Sequence, residues 1–133
     1  MKPRVMPQDA ERLVVDYLTG LLDSDLCTVG VGLPDDWTIV AFPHLAVAND
    51  GAFGNAWPVA TATTIRLTAH AKTTTAAKAL CGLGWGLLLA HPGSPDIANT
   101  FPLTGPLPAR DPNDSAELAS ATVRVTVRTQ PIS

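Results

Sequence analysis

Apolar residues recur at helical spacing near the start of the chain, where Ala10, Leu13, Val14, Tyr17, Leu18 and Leu21 fall at the i, i+3, i+4, i+7 positions of one face. The spacing predicts an amphipathic helix over about 8–22. Pro7 suits its entry, and Asp9 and Glu11 lie in the first turn, where the helix dipole favours carboxylates; Gly20 and Asp23-Ser24-Asp25 mark its exit. Strict alternation appears over about 63–71, with Ile65, Leu67, Ala69 and Ala71 on one face and Thr64, Arg66, Thr68 and His70 on the other. It returns over about 120–129, where Ala121, Val123, Val125 and Val127 oppose Thr122, Arg124, Thr126 and Arg128. Both segments read as half-buried strands of one sheet, whose outer face carries three arginines and a row of threonines. Two shorter strands are expected over about 27–33 and 38–48, and Pro34-Asp35-Asp36 between them predicts a hairpin turn.

A second helix is expected over about 74–90, where Ala76, Ala77, Leu80, Leu83, Gly84, Leu87 and Leu88 form a stripe toward the core. Its opposite side bears Lys78 but then Gly82, Trp85 and Leu89, so the back of this helix is apolar too. Gly82, Gly84 and Gly86 each disfavour a helix by about 1 kcal/mol relative to alanine, which calls for a compensating close approach of another backbone. The helix is therefore expected to be packed on both sides, and Trp85, Leu89 and Gly82 are candidates for a contact between subunits. Phe53 and Trp57 are further candidates, because they sit in a turn-rich stretch, 49–58, where large rings need cover. Six prolines over 91–114 predict an extended loop with a short strand near 98–103, either reaching over a neighbour or exposed to solvent. The fold class is α+β: one domain over 1–133, with a mixed or antiparallel sheet of about four to five strands packed against two helices.

Composition adds a reason to look for partners. The chain is 46% hydrophobic but only 16% charged, against about 25% charged in ordinary soluble domains. A formal net charge of −3 gives no basic footprint for gripping nucleic acid. No stretch approaches the ~20 apolar residues of a membrane span, and the N-terminus lacks the apolar core of a signal peptide, so a soluble, cytosolic protein is expected. Cys27 and Cys81 form no CxxC and are expected to be buried free thiols.

Catalytic patterns are missing from the sequence. His44, His70 and His91 stand far apart with no HxH or HExxH spacing, so no metal is expected. His70 is expected at the surface and His91 at a helix end. Ser24, Ser94, Ser115, Ser120 and Ser133 lack the GxSxG elbow that exposes a nucleophile, and Asp35 and Asp36 read as turn carboxylates. The glycines at 82, 84 and 86 do not form GxGxxG, and no phosphate-loop lysine occurs, so no cofactor and no enzymatic activity are expected.

Four phrases carry a family resemblance: Pro7-Gln8-Asp9-Ala10-Glu11-Arg12-Leu13-Val14-Val15-Asp16-Tyr17-Leu18, Val29-Gly30-Val31-Gly32-Leu33-Pro34 with its acidic turn, Thr63-Thr64-Ile65-Arg66-Leu67-Thr68-Ala69-His70-Ala71 before an alanine-rich helix, and Ala121-Thr122-Val123-Arg124-Val125-Thr126-Val127-Arg128 near the end. With the order of elements, the chain resembles the tail terminator proteins of long-tailed phages of actinobacteria. The resemblance implies a small α+β subunit that assembles with five copies of itself into a ring. That ring would sit on the tail-tube protein, stop tube growth and meet a head-completion or neck protein above. It implies a virion location at the head-proximal end of the tail, with assembly in the host cytoplasm, and passage of DNA without sequence-specific binding. Arg66, Arg124 and Arg128 are then expected to face protein or solvent, because lining the channel they would attract phosphate. Another neck or minor tail protein is the first alternative, and a small cytosolic binding domain with an apolar pocket beside the second helix is the second.

Overall fold

Asp9 caps the first helix, its carboxylate accepting from the Arg12 amide at 3.2 Å, and helix α1 runs over Ala10–Leu21. Thr73 does the same for the second, accepting from the Ala76 amide at 3.1 Å, and α2 spans Thr74–Leu89. The computed structural model describes residues 2–35, 37, 43–54, 56–110 and 117–132. Around the helices lie strands β1 (Val5–Met6), β2 (Thr28–Val31), β3 (His44–Phe53), β4 (Ala60–Ala71), β5 (Ile97–Arg110), β6 (Glu117–Arg128) and β7 (Gln130–Pro131). Five of them make one mixed sheet in the order β2-β3-β4-β6-β5, and β1 pairs with β7 in a small ribbon. The α+β class and the two-helix, five-strand architecture agree with the periodicity.

The alternation in β4 and β6 does what it predicts. The two strands pair antiparallel along their whole length, Ile65 opposite Val123 and Leu67 opposite Ala121, and these apolar side chains are buried beneath the helices. Leu45 and Val47 of β3 complete the core, into which α1 sends Val14 and Leu18 and α2 sends Ala77, Leu80, Cys81 and Leu88. Gly84 is the point of closest approach: a Cβ there would come within 2.7 Å of the buried Leu45 Cδ2. At Gly86 nothing lies within 4 Å. Opposite signs are expected on replacement. Gly86→Ala should gain about 1 kcal/mol from helix propensity alone. Gly84→Ala should lose about 1 kcal/mol, since overpacking of about 1–3 kcal/mol outweighs the same gain; urea denaturation of the two variants checks both.

Three expectations need correction. The strands expected over 27–33 and 38–48 do not form a hairpin: β2 and β3 are parallel, Thr28 opposite His44 and Val31 opposite Val47. The twelve residues 32–43 are long enough for the crossover that parallel strands require, and the Pro34-Asp35 turn lies inside it. Part of the second expected strand, 38–42, lies outside the described residues. The turn-rich stretch 49–58 is half strand, because β3 continues to Phe53 through a bulge between Asn49 and Ala52.

The proline-rich segment expected as a loop over 91–114 is mostly β5, a fourteen-residue strand on the sheet edge; residues 111–114 of it lie outside the described residues. An edge strand needs a neighbour on one side only, so Pro102, Pro106 and Pro108 are tolerated there. Three register shifts against β6 absorb the misfit. Prolines and bulges also blunt the edge against indiscriminate pairing.

Candidate assembly surface

Both helices cover one face of the sheet, which leaves the other, open face without a helix among the described residues. Because residues opposite one another in register share a face, the open face can be written as rows across β3, β4, β6 and β5. Phe53, Ala62, Thr126 and Asn99 form one row; Ala48, Arg66, Thr122 and Thr104 a second; Ala46, Thr68, Ser120 and Leu107 a third. The bulge in β3 puts Phe53 on this face, since it shifts the inward and outward parity by one residue. The centre is threonine and alanine with little free charge. Arg66 lies 3.4 Å from Asp50, and the Arg124 guanidinium stands 5.6 Å over the Phe101 ring.

The five residues singled out as subunit contacts divide into two groups. Gly82, Trp85 and Leu89 meet the chain's own edge strand. The Trp85 indole donates from Nε1 to the Thr122 carbonyl at 3.2 Å, and the far end of its ring reaches Gly105 of β5, while Gly82 faces Pro106. This happens where β5 bulges between Thr104 and Leu107, so the indole N–H reaches a carbonyl of β6 where the ladder is irregular. Leu89 is half-buried against the core. The back of α2 is thus packed, as expected of a two-sided helix, and the packing partner is β5.

Phe53 and Trp57, by contrast, are exposed at 57% and 48%, and Val59 in the same turn at 68%. The turn is anchored to the last strands, Thr129 donating from its hydroxyl to the Pro58 carbonyl at 2.6 Å and from its amide to Val59 at 3.0 Å. Met6 and Ile132 of the small ribbon are also exposed, and Ile132 follows within three residues of Thr129. One end of the sheet therefore presents several large apolar side chains held by a fixed backbone. Composition hinted at such a surface, and the rings of Phe53 and Trp57 in the turn-rich stretch pointed to part of it.

The chain matches no protein-family model and no curated protein sequence.

A second apolar feature lies at the other end of the strands. A groove of about 300 Å³ runs beside α2, lined by Leu26, Pro43, Ala76, Ala79, Leu80 and Leu83. Leu83 and Ala76, expected in the core stripe, stand on its wall and are exposed, because the cores of β4 and β6 are filled by Ala77, Leu80, Cys81, Gly84 and Leu88. The sequence signal was a stripe wider than one sheet can cover, seven residues over thirteen.

The titratable groups hold structure together. His44 is buried, with Nδ1 2.7 Å from the Thr28 hydroxyl and Nε2 2.8 Å from the Gly32 carbonyl. His70 is also buried, not at the surface as its place on the polar face suggested: the Trp37 ring stands edge-on to it at 5.5 Å and covers that end of the open face. His91 follows α2 as expected, accepts from the Gly93 amide at 2.9 Å and packs on the Tyr17 ring at 4.5 Å. Among the described residues no group of three or more His, Cys, Asp or Glu is placed to hold a metal ion, and no helix is long and apolar enough to cross a membrane.

Cys27 and Cys81 are buried free thiols. Burial raises both pKa values, that of Cys81 to about 11, and at Cys27 the Asp23 carboxylate adds to the rise. Two consequences are measurable. At neutral pH a thiol reagent should label Cys81 only as fast as the chain opens. A thiol held protonated in the fold loses its advantage once the unfolded chain ionises, so its contribution to stability is full below pH 9 and declines as pH rises toward 11. The decline should be shallower in Cys81→Ala.

Proposed function

We propose that this chain is a structural subunit of a virion, a tail terminator that forms a ring on the head-proximal end of the tail tube. The observation that carries the proposal is the fixed apolar turn at one end of the sheet, with Phe53, Trp57 and Val59 exposed. Rings of that size on a soluble monomer are costly to leave in water and mark a contact surface. The resemblance of the four phrases supplies the address, and the α+β architecture agrees with the fold that the resemblance implies. The open face of the sheet, rich in threonine and with Arg66 paired to Asp50 and Arg124 lying on Phe101, offers no dense array of free cations to hold a duplex passing by.

Cryo-electron microscopy of assembled particles, or of the purified protein mixed with tail-tube subunits, tests the proposal. A sixfold ring capping the tube with the Phe53 to Trp57 region between subunits is the expected result. A ring elsewhere in the neck would keep the assembly role and change the address; no association with virion parts would overturn the proposal. One observation favours a second possibility, a cytosolic binding domain: the apolar groove beside α2 lies where such a domain would keep a small apolar ligand.

A further inference from the structure

The turn and the groove belong to opposite ends of the same strand. Residues 56–59 lead into β4 at Ala60, whereas β4 ends at Ala71 and passes directly into the first turns of α2, whose residues Ala76, Ala79, Leu80 and Leu83 wall the groove. Eleven residue steps of strand separate the two ends by roughly 36 Å. A single chain cannot bring its own turn to its own groove.

We infer that the groove receives the Trp57 turn of a second copy of this chain. Three features of the two surfaces fit one another. The groove is almost wholly apolar and of a size that accommodates an aromatic side chain, the kind of anchor that dominates interface energetics when seated in a pocket. Trp57 and Val59 project from a backbone already tied to Thr129, so little conformational freedom is lost on docking. The charges beside the two surfaces are complementary as well. Asp23 and Asp25 stand exposed beside Leu26 on the groove rim, Asp25 tied to Asp23 by a 2.9 Å hydrogen bond from its amide. At the turn end, Arg128 is in register with Ala60, its exposed guanidinium donating to the Ser94 carbonyl, and the backbone of the exposed Arg4 is held there by its carbonyl accepting from the Ile132 amide. None of Arg4, Arg128, Asp23 and Asp25 forms an ion pair among the described residues.

A contact between two different patches is heterologous: each copy offers a turn to one neighbour and a groove to the other, and such contacts build rings or filaments, never closed twofold dimers. The inference rests on the assembly role proposed above and names its contact.

The test uses two full-length variants, Trp57→Asp and Leu83→Asp, both changed at exposed residues, so circular dichroism and thermal melting should match the wild type. In sedimentation velocity the wild type is expected to self-associate and each variant alone to be monomeric. Mixed in equal amounts, the variants should form heterodimers and nothing larger, because one intact turn meets one intact groove. Asp23→Asn with Asp25→Asn should weaken wild-type association by about fivefold at low salt and have little effect at high salt. Assembly that persists in either variant overturns this contact and leaves the virion proposal to the particle reconstruction. A mixture that stays monomeric points to a twofold contact and overturns it as well. A wild type that stays monomeric also overturns it, and an apolar dye bound at the groove of that monomer would assign the groove to a small ligand.

Discussion

Trp85→Asp is expected to destabilise the monomer by about 3–5 kcal/mol, the range for removing a large aromatic side chain from a packed site. The indole fills the space between α2 and the bulge of β5, and its Nε1 proton goes to the Thr122 carbonyl. Aspartate would leave that carbonyl without its donor and set a carboxylate against Gly105 and the core-facing side of β6, where desolvation disfavours the charge. A domain of this size is stable by only about 5–15 kcal/mol, so the variant should melt at least about 10 °C lower, measurable by circular dichroism. The contrast with Trp57 is the useful part. Trp57→Asp should leave the melt unchanged and remove self-association, whereas Trp85→Asp should lower the melt first. A Trp85→Asp chain that melts like the wild type and fails only to assemble would return Trp85 to the subunit interface.

His44→Ala is expected to cost about 3 kcal/mol and to act locally. A carbonyl accepts only, so the 2.8 Å contact with the Gly32 carbonyl requires a proton on Nε2, and Nδ1 then accepts from the Thr28 hydroxyl. The ring thereby ties the first residue of β2 to the turn after its last residue, where Gly32 has φ +71°. Removing it leaves a cavity and takes the donor from the Gly32 carbonyl, at about 1–3 kcal/mol for that group, while the hydroxyl of the exposed Thr28 can turn to water. His44→Phe restores volume without either hydrogen bond and should recover only the packing part of the loss. Amide exchange should locate the effect: residues 28–31 should lose protection while α2 keeps its own. Equal loss of protection throughout would mean that β2 does not open separately.

The helices and the two central strands were legible because each carries a period of its own. Val14 and Leu18 repeat at helical spacing, Ile65 and Leu67 alternate, and burial follows those periods directly. Capping by Asp9 was partly legible too, since a carboxylate in that position has a local use. Of the five contact candidates, Gly82, Trp85 and Leu89 were picked out by helical spacing on the back of α2, and Phe53 and Trp57 as rings in a turn-rich stretch. Neither signal says who covers them, which is why Trp85 and Trp57 looked alike in the sequence and differ in the fold.

By itself, then, the sequence determined the α+β class, the inward faces of α1, β4 and β6, the free thiols, and the excess of apolar surface. Each follows from periodicity or residue type within a short window. Tertiary structure alone decided that β2 and β3 run parallel, that the proline-rich segment is the edge strand β5, that β1 closes on β7, and that the apolar turn and the apolar groove lie at opposite ends of β4. Those outcomes depend on which distant segments meet. Proline loses nothing at an edge that needs no second neighbour, and the turn is an exposed ridge because its rings are left uncovered among the described residues.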